Sequence, residues 1–280
     1  MVRDALMAAH GWADVEIVTI RTTGDRVQDR ALAEIGGKAL WTKELDRALL
    51  AGEVDACVHS MKDVETVRPA AIAIAATLPR ADVRDRLIGA DTIDALPHGA
   101  TVGTSSPRRA AQVRRRRPDL STVLFRGNVD TRLGKLAAGE VDATLLAAAG
   151  LDRLGRHDTG TAIPFELMLP APAQGVVGIE TLADGAARPL VAAIDHAPTH
   201  AAVATERALL AGLRADCHSP VAALAEWDGD EIVLRAELLT AAGEESVDGS
   251  ARGGDPVELG TRLAADLLAR APASIRALFG

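Results

Sequence analysis

Basic and hydroxyl side chains cluster in the sequence GTSSPRR at residues 103–109. Ser106 before a proline is typical of a helix start, because Ser caps the first turn and Pro fits just inside it. Arg108 and Arg109 then fall in the first turn, where the helix dipole disfavours cations. With the Thr104 hydroxyl and free backbone N–H groups they suit an anionic ligand, whose carboxylates Arg binds bidentately. A capped surface helix with incidental arginines is the alternative.

A second polar group, HSMKD at residues 59–63, follows a short apolar run. It places the Ser60 hydroxyl, the Lys62 ammonium and the Asp63 carboxylate at the end of an expected strand. A carboxylate beside a cation stays ionised and can accept a proton or stabilise a nearby positive charge. An ordinary polar turn has the same composition, so this motif alone does not indicate a function.

Further cations follow the same pattern. The segment FRGNVDTRL carries Arg126 and Arg132 after another expected strand, and the glycine-rich sequence GGK places Lys38 in a loop. Open parallel sheets bind ligands beyond the carboxyl ends of their strands, so these cations are expected to meet there. In a chain of net charge −8 they predict a positive pocket within an acidic protein.

The two cysteines have different sequence contexts. Cys217 lies in a polar segment between Arg214 and His218, which favours an accessible, partly activated thiol, although a buried structural thiol is an equal alternative. Cys57 lies within an apolar strand and is expected to be a core residue. Neither cysteine, and none of the seven histidines, has a partner at metal-ligand spacing, so we predict no metal site.

Composition limits the class of protein. The chain has 280 residues, of which 48% are hydrophobic and 2% aromatic, so its cores must consist of aliphatic side chains. The acidic balance argues against a nucleic-acid partner, and no apolar run is long enough to span a membrane. Two cysteines suit a reducing compartment, and the first residues lack the pattern of a signal peptide. We therefore expect a cytoplasmic enzyme that binds a small molecule.

Strand and helix patterns alternate along the first two thirds of the chain and predict parallel sheets covered by helices. The last third predicts a separate α+β domain. The expected strands are Val15–Ile20, Ala56–His59, Ile72–Ala76, Thr101–Gly103, Ser121–Phe125, Ala143–Ala147, Glu231–Thr240 and Glu244–Ala251. The expected helices are Lys43–Leu50, Pro107–Arg117, Arg132–Ala138, Ala202–Leu213 and Pro256–Ala269.

Taken together, these segments resemble the hydroxymethylbilane synthase family, also called porphobilinogen deaminases. The resemblance is carried, in order, by IRTTGDRVQD (20–29), IGGKALWTKELDRALL (35–50), VDACVHSMKDV (54–64), VGTSSPRRAAQ (102–112), RPDL (117–120), FRGNVDTRLGKL (125–136), LAAAGLDRLG (146–155), LPAPAQGVVGIE (169–180), TERALL (205–210) and DCHSPVAA (216–223). No single segment is specific, but their combination and spacing extend over nearly the whole chain.

The resemblance implies a transferase that joins four porphobilinogen molecules head to tail, releases ammonia and frees the linear tetrapyrrole hydroxymethylbilane. It implies a dipyrromethane cofactor bound covalently as a thioether to Cys217, with Asp63 as the catalytic carboxylate. The residues that it assigns to the cofactor's acidic side chains are Ser60, Lys62, Thr104, Ser106, Arg108, Arg109, Arg126 and Arg132. For the substrate it adds Lys38, Arg153 and Gln174. A non-catalytic protein that binds a carboxylate ligand, or an inactive truncated paralogue, remains an alternative.

The fold implied by the resemblance is α/β: two domains like those of periplasmic binding proteins with a cleft between them, plus a small α+β C-terminal domain that carries the cysteine. The expected boundaries are 1–78 with 175–195 for the first domain, 82–170 for the second and 198–280 for the third. Hinge segments are expected near Thr77–Arg84 and Leu169–Gly175. The family fold also implies a monomer.

The sequence departs from the family pattern at four places. One is Pro107, which stands where an apolar residue is usual between Ser106 and the arginine pair, and which a helix start tolerates. The family opens with a strand and a Thr-Arg-x-Ser motif, and this chain is expected to begin after them, as in an N-terminally truncated protein. Glu65 stands where a proline is usual after HSMKDV, and Asp216 stands where the family has glycine before the cysteine. A carboxylate at position 216 is expected to raise the pKa of the neighbouring thiol and to slow cofactor attachment.

Overall fold

The computed structural model describes residues 1–22, 41–216 and 218–279. Its α-helices are α1 (Val2–His10), α2 (Lys43–Leu50), α3 (Pro107–Arg116), α4 (Val129–Ala137), α5 (Ala148–Arg153), α6 (Ala187–Ala192), α7 (Ala197–Leu213), α8 (Pro256–Arg270) and α9 (Ala273–Arg276). Its strands are β1 (Cys57–Ser60), β2 (Ile72–Thr77), β3 (Asp85–Ile88), β4 (Thr101–Gly103), β5 (Ser121–Val123), β6 (Ala143–Ala147), β7 (Thr161–Ala162), β8 (Val177–Leu182), β9 (Val221–Asp228), β10 (Glu231–Leu239) and β11 (Ser246–Gly253).

The first lobe is built on a sheet with the strand order β1-β8-β2. Both pairings in this sheet are antiparallel, so the expectation of a parallel sheet is wrong for the described residues of this lobe. The reason is the path of the chain: β2 leads out towards the second lobe and β8 returns from it, so the two strands run in opposite directions. Helices α1 and α6 contribute to the core over this sheet with Leu6 and Val191.

The second lobe has the strand order β5-β4-β6-β3-β7. Strands β4, β5 and β6 are parallel, as the alternation of strands and helices predicts, whereas β3 runs antiparallel to β6 and β7. The core is aliphatic and includes the fully buried Val102, Ala143 and Leu145. Helix α3 begins after the three residues that follow the carboxyl end of β4, and it carries Arg108 and Arg109.

The two chain crossings between the lobes lie against each other. Ala81 donates its N–H to the Gly175 carbonyl at 3.1 Å. Gly175 has a φ of 84°, and a Cβ there would lie 2.7 Å from the Ala81 carbonyl oxygen, so both backbone conformation and space require glycine. The fully buried Glu206 of α7 accepts hydrogen bonds from Arg80 at 2.7 Å and from the Ala173 N–H at 2.5 Å. One carboxylate thus joins both crossings to the C-terminal unit.

The C-terminal unit packs the antiparallel sheet β11-β10-β9 against α7 and α8. Leu209 and Leu213 from α7 meet Leu234 and Leu238 from β10, and all four are fully buried. Burial of such side chains contributes about 1.5–3 kcal/mol each. The α+β organisation predicted for this part of the chain is confirmed, and α7 ends two residues before the turn at 216–219.

Several predicted elements need correction. Val15–Ile20 pairs with no strand of the described residues, and Ile17 and Val18 are more than half exposed. Its alternation of apolar residues indicated a strand, but no described sheet edge accepts it. Strands β3, β7, β8 and β9 were not predicted, because their polar or small residues break the apolar alternation. The remaining predicted elements are present, with ends shifted by a few residues.

Candidate active site

The turn that follows β1 is held tightly against β8. Met61–Asp63 forms one short 3₁₀ helix, and the Met61 N–H donates to the Val176 carbonyl at 3.0 Å. Met61 is buried over Gly178, where an added Cβ would lie 2.1 Å from the Met61 sulfur. Only glycine at position 178 leaves room for Met61 and so for the turn to pack against β8. The turn places Lys62 and Asp63 at the cleft between the lobes.

The charges of Lys62 and Asp63 depend on each other. Removal from water raises the pKa of the Asp63 carboxyl, and Lys62, Arg109 and Arg132 oppose that rise. Removal from water likewise lowers the pKa of Lys62, and Asp63 opposes it. A carboxyl whose pKa is raised within a ring of cations is suited to exchange protons or to stabilise a positive charge near neutral pH.

The start of α3 confirms the predicted cap. The Ser106 side chain accepts a hydrogen bond from the Arg109 N–H at 3.4 Å, and Pro107 occupies the first helical position. The Thr104 hydroxyl accepts from the Ser106 N–H at 3.2 Å and is itself buried. Ser106 lines the cleft, whereas Thr104 supports the loop from behind.

Arg108 and Arg109 are almost fully buried, and they share a carboxylate that the sequence analysis missed. Arg108 donates to Oδ2 of Asp85, and Arg109 donates to Oδ1, each at 2.7 Å. Burial alone would raise the pKa of Asp85, but the two guanidinium groups hold it well below its usual range. The pair therefore retains one net positive charge, not two.

Each buried arginine keeps a donor without a partner. The Nε atoms of Arg108 and Arg109 have no hydrogen-bond partner among the described residues, and neither has Oε1 of Gln174. Gln174 donates from its Nε2 to Asp85 at 2.8 Å, which ties the hinge to the arginine pair. Buried polar atoms are normally hydrogen-bonded, so these three are exceptions, but each has almost no accessible surface and is therefore shielded from the cavity.

Two more predicted cations line the cavities. Arg132 donates to the Gly127 carbonyl at 2.9 Å, and burial together with Arg109 and Arg126 lowers its pKa to about 10, so it remains charged at neutral pH. Arg153 donates to the Gly175 carbonyl at 3.1 Å on the opposite side of the Lys62 side chain. Arg126 is buried and lines neither cavity, so its predicted contact with the cofactor stays a prediction.

A cavity of about 200 Å³ brings these residues together. Its lining from the two lobes includes Lys62, Asp63, Ser106, Arg108, Arg109, Arg132 and Gln174. A smaller cavity of about 60 Å³ adjoins it through Lys62 and Ala173 and contains Ser60 and Arg153. The cleft thus offers two compartments, with the Lys62 side chain at their boundary.

The C-terminal unit closes one side of the larger cavity. Asp216 and Ser219 line it, and the Asp216 N–H donates to the Ser219 hydroxyl at 3.1 Å. Cys217 itself lies outside the described residues, as does Lys38, so both remain predictions. Residues flanking position 217 nevertheless border the same cavity as Asp63.

The cavity lining includes residues that the sequence did not indicate, among them Trp41 and Arg207. Trp41, one of three tryptophans, borders the larger cavity. Arg207 of α7 also borders it and donates to the Val64, Glu65 and Thr66 carbonyls. The rarity of aromatic residues could have drawn attention to Trp41, whereas nothing local distinguishes Arg207 from other helix arginines.

Cys57 is buried, and burial with the nearby Glu180 raises its pKa to about 12, which confirms the predicted core thiol. Over the described ranges, no three or more His, Cys, Asp or Glu side chains gather in a way that could hold a metal ion. The helices in those ranges also include none that is both long and apolar enough to cross a membrane.

Comparison with known proteins identifies the family. A family model described as porphobilinogen deaminase, dipyromethane cofactor binding domain, matches residues 1–188, and the model of the porphobilinogen deaminase C-terminal domain matches residues 200–269. The porphobilinogen deaminase of Sphingopyxis alaskensis is 61% identical, covering 100% of this chain and 91% of that protein. The enzyme of the same name from Paracoccus denitrificans is 51% identical, covering 97% of this chain and 89% of that protein.

Among solved structures, the substrate binding domain 2 of Lactococcus lactis GlnP in its open conformation aligns with a TM-score of 0.39 and 11% identity, covering 74% of this chain and 76% of that one. The two family models together extend over almost the whole sequence, and both curated relatives match over nearly their full lengths. The chain therefore belongs to the porphobilinogen deaminase family.

Proposed function

We propose that this chain condenses four porphobilinogen molecules head to tail into hydroxymethylbilane and releases ammonia, as a transferase. The observation that carries the proposal is the placement of Asp63 in a cavity bordered by Lys62, Arg108, Arg109 and Arg132. A carboxylate among cations matches a reaction that handles acidic pyrroles and passes through positively charged ring atoms.

The cations suit the side chains of the substrate. Each porphobilinogen carries an acetate and a propionate, so a growing chain of pyrroles accumulates negative charge. Arg108, Arg109 and Arg132 border the larger cavity, where their guanidinium groups are proposed to donate to such carboxylates. Charge-assisted hydrogen bonds of this kind are about twice as strong as neutral ones. Lys38 joins this set by resemblance.

Asp63 is proposed to face the pyrrole N–H groups. As the C–N bond of the aminomethyl group breaks and ammonia leaves, the methylene carbon stays on the pyrrole, positive charge develops on the ring, and a fixed carboxylate stabilises it. The raised pKa of Asp63 also lets it accept the proton that the coupling step releases. The neighbouring cations oppose the rise in the pKa of Asp63 and so favour the carboxylate form that both tasks require.

The dipyrromethane cofactor is proposed to be attached to the Cys217 sulfur. When bound, it supplies the free pyrrole position that accepts the first substrate unit. Asp216 and Ser219 border the larger cavity, as Asp63 does, which supports attachment of the cofactor on this side of the cleft. Gln174 borders the same cavity and is proposed to contact the substrate.

Mass spectrometry of the purified chain tests this proposal. Expression with ample porphobilinogen should give a mass increased by one dipyrromethane, and Cys217→Ser should remove the increase. The matched control is Cys57→Ser, since Cys57 is buried in the first lobe and should leave the added mass intact. An unmodified wild-type mass together with no consumption of porphobilinogen would contradict the proposal.

A non-catalytic carboxylate binder is the second candidate, since several cavity residues would serve both roles. A binder needs neither Asp63 nor Cys217, and the family match favours the transferase. Release of ammonia from porphobilinogen by the wild-type chain decides between them.

We further propose a cytoplasmic monomer. Attachment of the cofactor requires a reduced thiol at position 217, which a reducing compartment maintains. Family membership supports the monomer, and sedimentation of the cofactor-loaded chain at working concentration measures it.

A further inference from the structure

One buried carboxylate holds both ends of the segment that carries Asp63. Glu180 on β8 is fully buried, and its Oε2 lies 3.1 Å from Nε2 of His59, four residues before Asp63. Arg68, five residues after Asp63, donates to both Glu180 oxygens at 2.8 Å. The segment from His59 to Arg68 therefore contacts Glu180 at both of its ends, and Asp63 lies in the turn between them.

The contacts of Arg68 extend this arrangement into the rest of the first lobe. Its guanidinium donates to Asp46 of α2 at 2.5 Å and to Glu65 at 2.8 Å. The Thr42 hydroxyl donates to the same Glu65 oxygen at 2.7 Å. Glu65 thus takes the position of the usual proline and ties the backbone just after Asp63 to Arg68 and to the start of α2.

Charge explains why these groups stay together. Arg68 alone faces three carboxylates, and His59 approaches the most buried of them. Burial alone would raise the pKa of Glu180, but His59 and Arg68 bring it down to about 2, so the carboxylate is ionised throughout the working range. Removal of its charge would leave Arg68 attracted only towards Asp46 and Glu65, and would leave His59 without the carboxylate that lies 3.1 Å from its Nε2.

We propose that Glu180 is a positioning residue for Asp63: by binding His59 and Arg68 it fixes both ends of the turn and so sets where the Asp63 carboxylate lies in the cleft. This inference rests on the proposed function. Glu180 borders neither cavity, so its effect on the reaction passes through the turn and not through contact with a ligand.

Loss of the Glu180 charge should move Asp63 without moving the arginine pair. Arg108 and Arg109 belong to the second lobe and share Asp85, not Glu180. A shift of the turn should therefore misplace Asp63 while the carboxylate-binding donors stay where they are. Misplacement of a reacting group by about 1 Å can cost as much as 100-fold in rate.

Glu180→Gln is the first test, because it keeps the shape of the side chain and removes its charge. We expect kcat for porphobilinogen consumption to fall roughly tenfold or more. We expect KM to change less than about twofold, because the carboxylate-binding donors are not displaced. Attached dipyrromethane, measured by mass, should remain at the wild-type level.

Asp119→Asn is the matched control. Asp119 also accepts two hydrogen bonds from one guanidinium, that of Arg117 at 2.7 Å each, but this pair lies away from the cavities. Its kcat and KM should equal those of the wild type. A simple loss of folded protein would lower the active fraction and the attached cofactor together, which the mass measurement detects.

Arg68→Lys is the second variant, and it serves if Glu180→Gln does not fold. Lysine keeps the charge but loses the planar fork that binds both Glu180 oxygens. We expect a smaller fall in kcat at unchanged KM. Wild-type kcat in either folded variant, or a parallel loss of kcat and attached cofactor in both, would overturn the positioning role. An inactive wild-type chain would instead overturn the proposed function, and with it this inference.

Discussion

The two ends of helix α3 carry similar charges and use them differently. At its start, Arg108 and Arg109 are buried, share Asp85 and line the larger cavity. At its end, the run Arg114–Arg117 lies near the surface and is engaged by the protein itself. Arg114 binds the Ala241 carbonyl, Arg115 binds Glu237, Arg116 binds Asp94 and Arg117 binds Asp119.

The difference shows that charge density in a sequence does not locate a ligand site. The denser run is the one whose charged groups hold carbonyls and carboxylates of the second lobe and of the C-terminal unit. The sparser pair borders the larger cavity, and no residue of the denser run does. An unpartnered buried donor does not separate the two ends, since Nε lacks a partner among the described residues in Arg108, Arg109 and also Arg114. A cluster of arginines becomes a candidate binding site where its side chains border a cavity.

The largest expected effect is on turnover, and it separates the reaction step from the binding of carboxylates by Arg108 and Arg109. Asp63→Asn should lower turnover by about 100-fold or more, because the amide cannot stabilise the positive ring or accept its proton. The cofactor should stay attached, since Arg108 and Arg109 still hold its carboxylates. Steady-state kinetics and the intact mass measure the two outcomes. Asp94→Asn is the control, because Asp94 binds Arg116 at the other end of the helix. Turnover retained by Asp63→Asn would remove this residue from its role.

The second prediction compares one arginine from each end of α3. Arg108→Leu should lower kcat/KM by roughly 10- to 100-fold, the worth of one or two charge-assisted hydrogen bonds. Arg116→Leu removes the same charge from the other end of the helix and should leave kcat/KM unchanged. The paired measurement is porphobilinogen consumption at several concentrations. Equal effects of the two substitutions would show that general electrostatic attraction, not the buried pair, draws the substrate in.

The third effect concerns stability and its dependence on pH. Asp85→Asn leaves two buried guanidinium groups without their carboxylate and should cost about 3–5 kcal/mol of unfolding free energy at neutral pH. The pKa of Asp85 is depressed by folding, so its contribution is complete above the unfolded value of about 4 and is lost as pH falls further. The difference in unfolding free energy between the wild type and Asp85→Asn should therefore become smaller below that pH.

Urea denaturation at neutral pH and at a pH below the unfolded value measures this difference. Asp119 is the comparison residue, because its pKa is also lowered, by the Arg117 hydrogen bonds, but its side chain keeps contact with solvent whereas that of Asp85 has none. Asp119→Asn should give a smaller loss that salt reduces, as expected for an ion pair in contact with solvent. A difference for Asp85→Asn that stays constant with pH would show that its charge does not stabilise the fold.

Part of this arrangement could be predicted from the sequence. Ser106 before a proline indicates a cap, and the structure places that cap at the edge of the cleft, because capping depends on a few neighbouring residues. The turn with Lys62 and Asp63 also lies at a strand end as expected. Family resemblance supplied the roles of these residues, which local patterns alone left open.

The rest depends on contacts between distant segments. Asp85 meets Arg108 across 23 residues, and Glu180 meets Arg68 across 112, so no spacing rule identifies either carboxylate. A buried arginine pair requires some carboxylate, but the sequence offers many. The antiparallel order of the first lobe follows from the return of β8 through the hinge, which alternation of strands and helices does not encode.

A crystal structure of the cofactor-loaded chain would locate the pyrrole rings relative to the two ends of α3. We expect the rings in the larger cavity, their carboxylates within hydrogen-bond distance of Arg108 and Arg109, and the Asp63 carboxylate facing the ring nitrogens. Pyrrole carboxylates bound instead along the Arg114–Arg117 run, or rings lying outside the cleft, would contradict this expectation.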